Sequence, residues 1–260
     1  MKRDNLLLQE RHSLILQQLN AEGRVIAAVL AQQLKVTEDT IRRDLRDMAA
    51  AGLCQKVYGG AVRMAAAPES GTLVQRMERK QDDKSCLAAA AATLVAPGGT
   101  IFLDAGSSNL AIAEALPEMP LTVLTNAPSI AARLLERPQI DLIMIGGRIR
   151  QSLGGSVGAT AMRELEQLQP DLYFIGACGV DLHAGVTAID YEEAEFKRRL
   201  AAQSKATAVV ATTSKIGAVA SYRVLPIAQL THLIVEAQTS DDVDEAYAVA
   251  GTGLLRAGAL

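Results

Sequence analysis

Over the first sixty or so positions apolar residues recur at helical spacing, and beyond about residue 76 they gather into short continuous runs between helical stretches. Leu8, Ile15 and Leu19 share one face of a first helix that Glu22-Gly23 closes, and Ile26, Leu30 and Leu34 face inward from a second, Val25 to Leu34. After the break Lys35-Val36-Thr37, residues Ile41, Leu45 and Met48 fall at i, i+4 and i+7 and predict a third helix from Glu38 to about Ala51. Thr37 suits its N-cap, Glu38 and Asp39 suit the positive end of its dipole, and Gly52 stops it. Leu53 to Met64 then alternates around Gly59-Gly60, a pair that permits positive φ, which predicts a β-hairpin.

Residues 64–75, with small residues, a proline, a glycine and no period, read as a linker. Beyond it the runs 100–104, 121–126, 140–147, 172–181, 206–213 and 232–236 read as strands that mostly alternate with helices. Continuously apolar strands between helices predict a parallel sheet covered on both faces. The expected fold class is therefore α/β: an N-terminal helical domain with a hairpin over 1–63, a linker over 64–75, and an open, mostly parallel α/β domain over 76–260.

The 49% hydrophobic content is enough for a sizeable core, and no run approaches the roughly 18 apolar residues of a membrane span. The apolar stretch near the N-terminus is three leucines, too short for a signal-peptide core, so a cytoplasmic location and no membrane partner are expected. Cys54, Cys86 and Cys178, and likewise His12, His183 and His232, are scattered without disulfide or zinc spacing, so neither metal nor other cofactor is expected. Charge is uneven: residues 1–64 carry a net +3 and residues 65–260 a net −6. A basic small end on an acidic body points to a polyanion partner for the first part only.

With Ile41 facing the core, Arg42, Arg46 and Arg43 fall at about 100°, 140° and 200° around the third helix, one arc directed away from the domain. Opposite-charge pairs at i, i+4, such as Glu38 with Arg42, would suit an ordinary exposed helix. The preceding helix, the tight break and the glycine hairpin favour a winged helix-turn-helix that sets the arc against double-stranded DNA. The break ending in Val-Thr, then "TIRRDL", "GL" and the "GGA" hairpin resemble the DeoR family of bacterial sugar-operon regulators. Family members usually carry His before the two glycines and Arg two residues earlier, where this chain has Tyr58 and Lys56. The DNA contacts expected are Thr37, Thr40, Arg42, Arg43, Arg46, Lys56, Tyr58 and Arg63.

In the large domain "DAGSSN", 104–109, follows a strand and precedes a helix, where backbone N–H groups, the helix dipole and two hydroxyls suit a phosphate. The strand ends at Asn126, at Gly147-Arg148 and at Gly176 to Asp181 are placed to converge on the same crevice. The DeoR resemblance extends through "TIFLDAGSS", "LTN", "IGG", "FIGACGVD", "FKRRL" and "TSKIG", and so covers nearly the whole chain. It implies a sensor domain resembling sugar-phosphate isomerases, a phosphorylated sugar effector, and a repressor of a carbohydrate operon. By that resemblance the phosphate sits at Gly106, Ser107 and Ser108, sugar hydroxyls lie near Asp104, Asn126, Asp181 and Glu195, and Lys197 and Lys215 supply cations. Read from spacing alone, Glu195 with Arg199 and Glu193 with Lys197 are surface pairs. The alternative, a surviving isomerase, requires paired acids where the chain has Gly176-Ala177-Cys178-Gly179, so no catalytic residue is assigned. Because one recognition helix reads only a half-site, a homo-oligomer, dimer or tetramer, is expected.

Overall fold

The structure, a computed structural model, describes residues 7–63, Gln75, Met77 and residues 81–258. The chain divides into two compact units on either side of Ala65. The expected linker 64–75 lies outside the described residues apart from Gln75. No helix among the described residues is long and apolar enough to cross a membrane.

The first unit runs α1 (Leu8–Glu22), β1 (Arg24–Ile26), α2 (Ala27–Gln33), α3 (Glu38–Ala50), β2 (Cys54–Val57) and β3 (Gly60–Arg63). Ile15 and Leu19 from α1, Leu30 from α2 and Ile41, Leu45 and Met48 from α3 meet in one small core with Val25 and Cys54. Thr37 caps α3, its hydroxyl accepting the Thr40 N–H at 3.2 Å. Two expectations change. Val25 and Ile26 belong to a strand, because Arg24–Ile26 pairs antiparallel with Gly60–Val62 in a sheet of order β1-β3-β2. A three-residue strand has no period of its own, and its partner lies over thirty positions away in sequence. Ile26 is consequently exposed, as is Leu8. The hairpin's two glycines also do different work: Gly59 takes the turn at φ +80, whereas Gly60 pairs in β3, where a Cβ would stand 2.0 Å from the Val25 carbonyl oxygen.

The second unit begins with α4 (Gln81–Ala92), β4 (Thr100–Leu103), α5 (Ser107–Ala115), β5 (Leu121–Thr125), α6 (Pro128–Leu134) and β6 (Ile140–Met144). A hairpin of β7 (Arg148–Arg150) and β8 (Gly155–Val157) leads to α7 (Ala159–Leu165) and β9 (Leu172–Phe174). β10 (Gly179–Asp181), β11 (Gly185–Ala188), α8 (Tyr191–Gln203), β12 (Ala206–Ala211), β13 (Tyr222–Leu225), β14 (His232–Val235), α9 (Asp241–Val249) and β15 (Gly253–Arg256) complete it. Seven parallel strands form one sheet in the order β15-β14-β12-β9-β4-β5-β6. Alternate side chains feed two cores. Ile101, Leu103, Phe174 and Val210 pack on the side of α4, α5 and α6, whereas Phe102, Tyr173, Val209 and Val235 pack on the side of α7, α8 and α9. The run 140–147, expected as a fully covered strand, forms the sheet edge, and Ile143 and Met144 are exposed. The run 172–181 also splits: Leu172–Phe174 enters the main sheet, and Gly179–Asp181 joins a separate antiparallel sheet with β11 and β13. From β4 the chain winds outward through β5 and β6 and returns on β4's other side as β9. The loops after β4 and β9 therefore leave the sheet at a switch of winding direction, where a crevice opens.

In the first unit a largely buried ion pair joins α3 to α1. Asp44, 2% exposed, is held by Arg11 of α1 through both guanidinium Nε and Nη2, the latter at 2.9 Å to Oδ1. Asp44→Ala leaves Arg11 without this acceptor, and the local cost should be about 2 kcal/mol, taken low in the range because the guanidinium lies at the unit's rim. Amide hydrogen exchange along α3 in the full chain should accelerate roughly 30-fold. Unchanged protection would show that the pair does not hold the helix.

Candidate functional site

The exposed face of α3 comes first in the chain. Arg42, Arg43 and Arg46 are all exposed on the side opposite Ile41, Leu45 and Met48. Arg42 pairs with Glu38 at 2.7 Å, an exposed contact that costs little to exchange for a phosphate. Thr37 and Thr40 stand at the helix N-terminus with their hydroxyls 2.8 Å apart. Lys56 is exposed on β2, Tyr58 is fully exposed at the hairpin tip, and Arg63 is half-buried on β3, its N–H donating to the Gly23 carbonyl at 2.9 Å. The eight residues thus divide between one helix and one hairpin of the same small unit.

The second site is a cleft at the carboxyl ends of β4 and β9, lined among others by Gly106, Ser107, Ser108, Gly176, Cys178, Glu193 and Lys215. Ser107 and Ser108 open α5 immediately after Gly106, so the first-turn N–H groups, which have no partner within a helix, face this end. Lys215 reaches the same turn, its Nζ 3.3 Å from Ser108 Oγ. Asn126 lies beneath the loop, accepting the Ala105 N–H on Oδ1 at 3.0 Å and donating to the Ser156 carbonyl at 3.1 Å. Asn109 likewise donates to the carbonyls of Asp104 and Phe174, both at 2.9 Å.

Below the cleft floor sits a buried ionic cluster. Lys197 Nζ contacts the Gly176 carbonyl, Glu193 Oε1, and Asp104 Oδ2 at 3.3 Å. Asp104 Oδ2 also accepts from the Tyr173 hydroxyl at 3.0 Å and the Gly176 N–H at 3.2 Å. Burial by itself would lower the Lys197 ammonium, but the Asp104 and Glu193 carboxylates outweigh it and push it up. Burial, and then the Asp104 charge, pushes the Tyr173 phenol well above its ordinary range. A side chain at position 176 would collide with this arrangement, a Cβ there standing 2.5 Å from the Ala105 carbonyl oxygen.

Several residues expected in the crevice are placed elsewhere. Asp181 Oδ1 closes the turn from β10 to β11 by accepting the His183 and Ala184 N–H groups at 2.9 and 2.7 Å. Gly147 and exposed Arg148 lead into the β7–β8 hairpin. Glu195 lies on the outer side of α8 and pairs with Arg198, not with Arg199. Glu193 and Lys197, one turn apart, do pair, but the pair is buried and not on the surface. Glu193 is thus the acid brought to the cleft, and only its one-turn spacing from Lys197 signals this in the sequence.

Comparison with known proteins places family models on both units. A DeoR-like helix-turn-helix domain matches residues 11–66 and a DeoR C terminal sensor domain matches residues 79–237. The HTH-type transcriptional regulator GolR of Listeria innocua is 30% identical, covering 87% of this chain and 90% of that protein. The glycerol-3-phosphate regulon repressor of Escherichia coli is 29% identical over 80% of this chain and 82% of its own length. A solved ribose 5-phosphate isomerase A from Methanocaldococcus jannaschii aligns at 17% identity with a TM-score of 0.39, covering 52% of this chain and 54% of that one. That structural overlap is too slight to carry an argument.

Both pKa shifts in the ionic cluster are upward. The stability they carry is complete below the unfolded-state values of about 10 for tyrosine and lysine, and it is lost as pH rises through the folded values. Melting temperature should therefore fall beyond about pH 10, and Tyr173→Phe should make that fall shallower. Melts of the variant that run parallel to wild type above that pH would remove the phenol from the alkaline transition.

Proposed function

The chain belongs to the DeoR family of helix-turn-helix transcriptional regulators, and on that premise we propose that it represses a carbohydrate operon until a phosphorylated sugar or related metabolite occupies the cleft. The observation that carries the reading is the convergence of the α5 N-terminus, Ser107, Ser108 and Lys215 on one crevice. N–H donors, hydroxyls and an ammonium complement a phosphate dianion. A relative that represses a glycerol-3-phosphate regulon supports the same ligand class. The chain acts in the cytoplasm, where its DNA partner lies, and as a homo-oligomer, since a symmetric pair of recognition helices is needed to read two half-sites.

The arginine arc on α3 makes the DNA contact, supported by Lys56, Tyr58 and Arg63 of the hairpin. Arg42→Ala or Arg46→Ala should weaken binding by about 1 to 3 kcal/mol where the side chain reads a base, or reduce the salt slope by about one where it holds a phosphate. The fold should survive, because neither side chain enters the core. Fluorescence anisotropy on an operator selected by the wild-type protein from random-sequence DNA reads both quantities. Affinity and salt dependence equal to wild type in the Arg42→Ala, Arg43→Ala and Arg46→Ala variants alike would remove the arc from the interface.

Ser107→Asp tests the other half of the reading. The substitution sets a carboxylate where the phosphate is expected and removes a hydroxyl donor. DNA affinity without ligand should stay near wild type, whereas release by a sugar phosphate found in a thermal-shift screen should need far more ligand. Release at the wild-type concentration would move the effector away from Ser107.

A further inference from the structure

One cleft group has no part in holding phosphate. Glu193 lines the crevice with Ser107, Ser108 and Lys215. Its side chain is only 9% exposed, Lys197 holds its Oε1, and its Oε2 accepts no hydrogen bond among the described residues. A carboxylate oxygen buried in this way is unfavourable until a donor reaches it. It also cannot turn away, since releasing Oε1 would strip a buried ammonium of a partner. The cleft is therefore divided in its chemistry. Around Ser108 it has hydroxyls, helix N–H groups and the Lys215 ammonium, whereas near Gly176 its lining includes Glu193, one of whose buried carboxylate oxygens has no donor among the described residues.

We propose that Glu193 reads the end of the ligand remote from the phosphate: Oε2 accepts a hydrogen bond from a hydroxyl there and repels a carboxylate in the same position. The inference rests on the cleft being the phosphate site of the preceding subsection, and it narrows the ligand class to polyol or sugar phosphates as against phosphorylated sugar acids. Glu195, on the outer side of α8 and paired with Arg198, takes no part.

Matched pairs of compounds test this on the full chain by isothermal titration calorimetry. Glycerol 3-phosphate and 3-phosphoglycerate differ only in a terminal alcohol against a carboxylate, and so do glucitol 6-phosphate and 6-phosphogluconate. Inorganic phosphate reports the phosphate end alone. In the tighter-binding pair the wild-type protein should prefer the alcohol by roughly 30-fold, the scale of one hydrogen bond to a charged group. Glu193→Gln keeps the size and one acceptor for Lys197 while offering an amide donor to the cleft. It should bring the pair within about threefold or invert it, with inorganic phosphate binding nearly unchanged. Glu195→Gln should behave as wild type. The wild-type comparison stands even if Glu193→Gln folds poorly, because equal or better binding of the acids overturns the proposal without any variant. A Glu193→Gln protein that binds inorganic phosphate normally and keeps the full alcohol preference overturns it as well. Failure of every probe, inorganic phosphate included, to bind wild type would instead sink the phosphate reading, and this inference with it.

Discussion

One buried ammonium organises the large unit. Lys197 has three N–H donors and three acceptors around it, the Gly176 carbonyl, Glu193 Oε1 and Asp104 Oδ2. These come from the loop after β9, from the preceding turn of α8, and from the end of β4. A lysine taken out of water is costly unless each donor is met, so the three segments must arrive together or not at all. Asp104 extends the constraint to the Ala105 and Gly176 N–H groups and the Tyr173 hydroxyl. The loop that opens α5 is thereby held in place, and a ligand bound there would meet a lower ordering cost.

The small unit solves a related problem with opposite emphasis. α3 carries three exposed arginines and one buried aspartate within five positions. Asp44 is engaged inward by Arg11, which fixes the helix against α1 and leaves the outward arc free of that carboxylate. An acid that still meets the arc is Glu38, whose exposed contact with Arg42 a polyanion can exchange at little cost. The pairing of β1 with β3 ties the hairpin to the chain ahead of α2, so wing and recognition helix are parts of one cooperative core. A ligand in the larger unit regulates such a device only if it binds two arrangements of the protein with different affinity.

Much of this was legible without coordinates. The stripe Ile41, Leu45, Met48 located α3 and its exposed arc, because a helix buries one face at a period that its own residues reveal. The runs at 100–104, 121–126 and 206–213 located central strands, because strands covered on both faces are apolar throughout. The short strands 148–150, 155–157, 185–188, 222–225 and 253–256 were not legible, since each owes its existence to a neighbour and carries no period long enough to detect. The same limit hid β1.

The sequence by itself determined the class of each unit and the chemistry of its main surfaces: an arginine arc on a capped helix, and a hydroxyl-bearing loop at a strand-to-helix junction. Those are local properties, written in residues close together along the chain. Which acid lines the cleft was decided only by the tertiary structure. Glu193 and Glu195 are two positions apart and chemically identical, but α8 turns through about 200° between them. Lys197 draws Glu193 inward to Asp104, 89 residues earlier in the chain, while Glu195 is left to Arg198 at the surface. The choice rests on burial and charge compensation between segments that meet only after the sheet has formed, and no pattern within the helix expresses it.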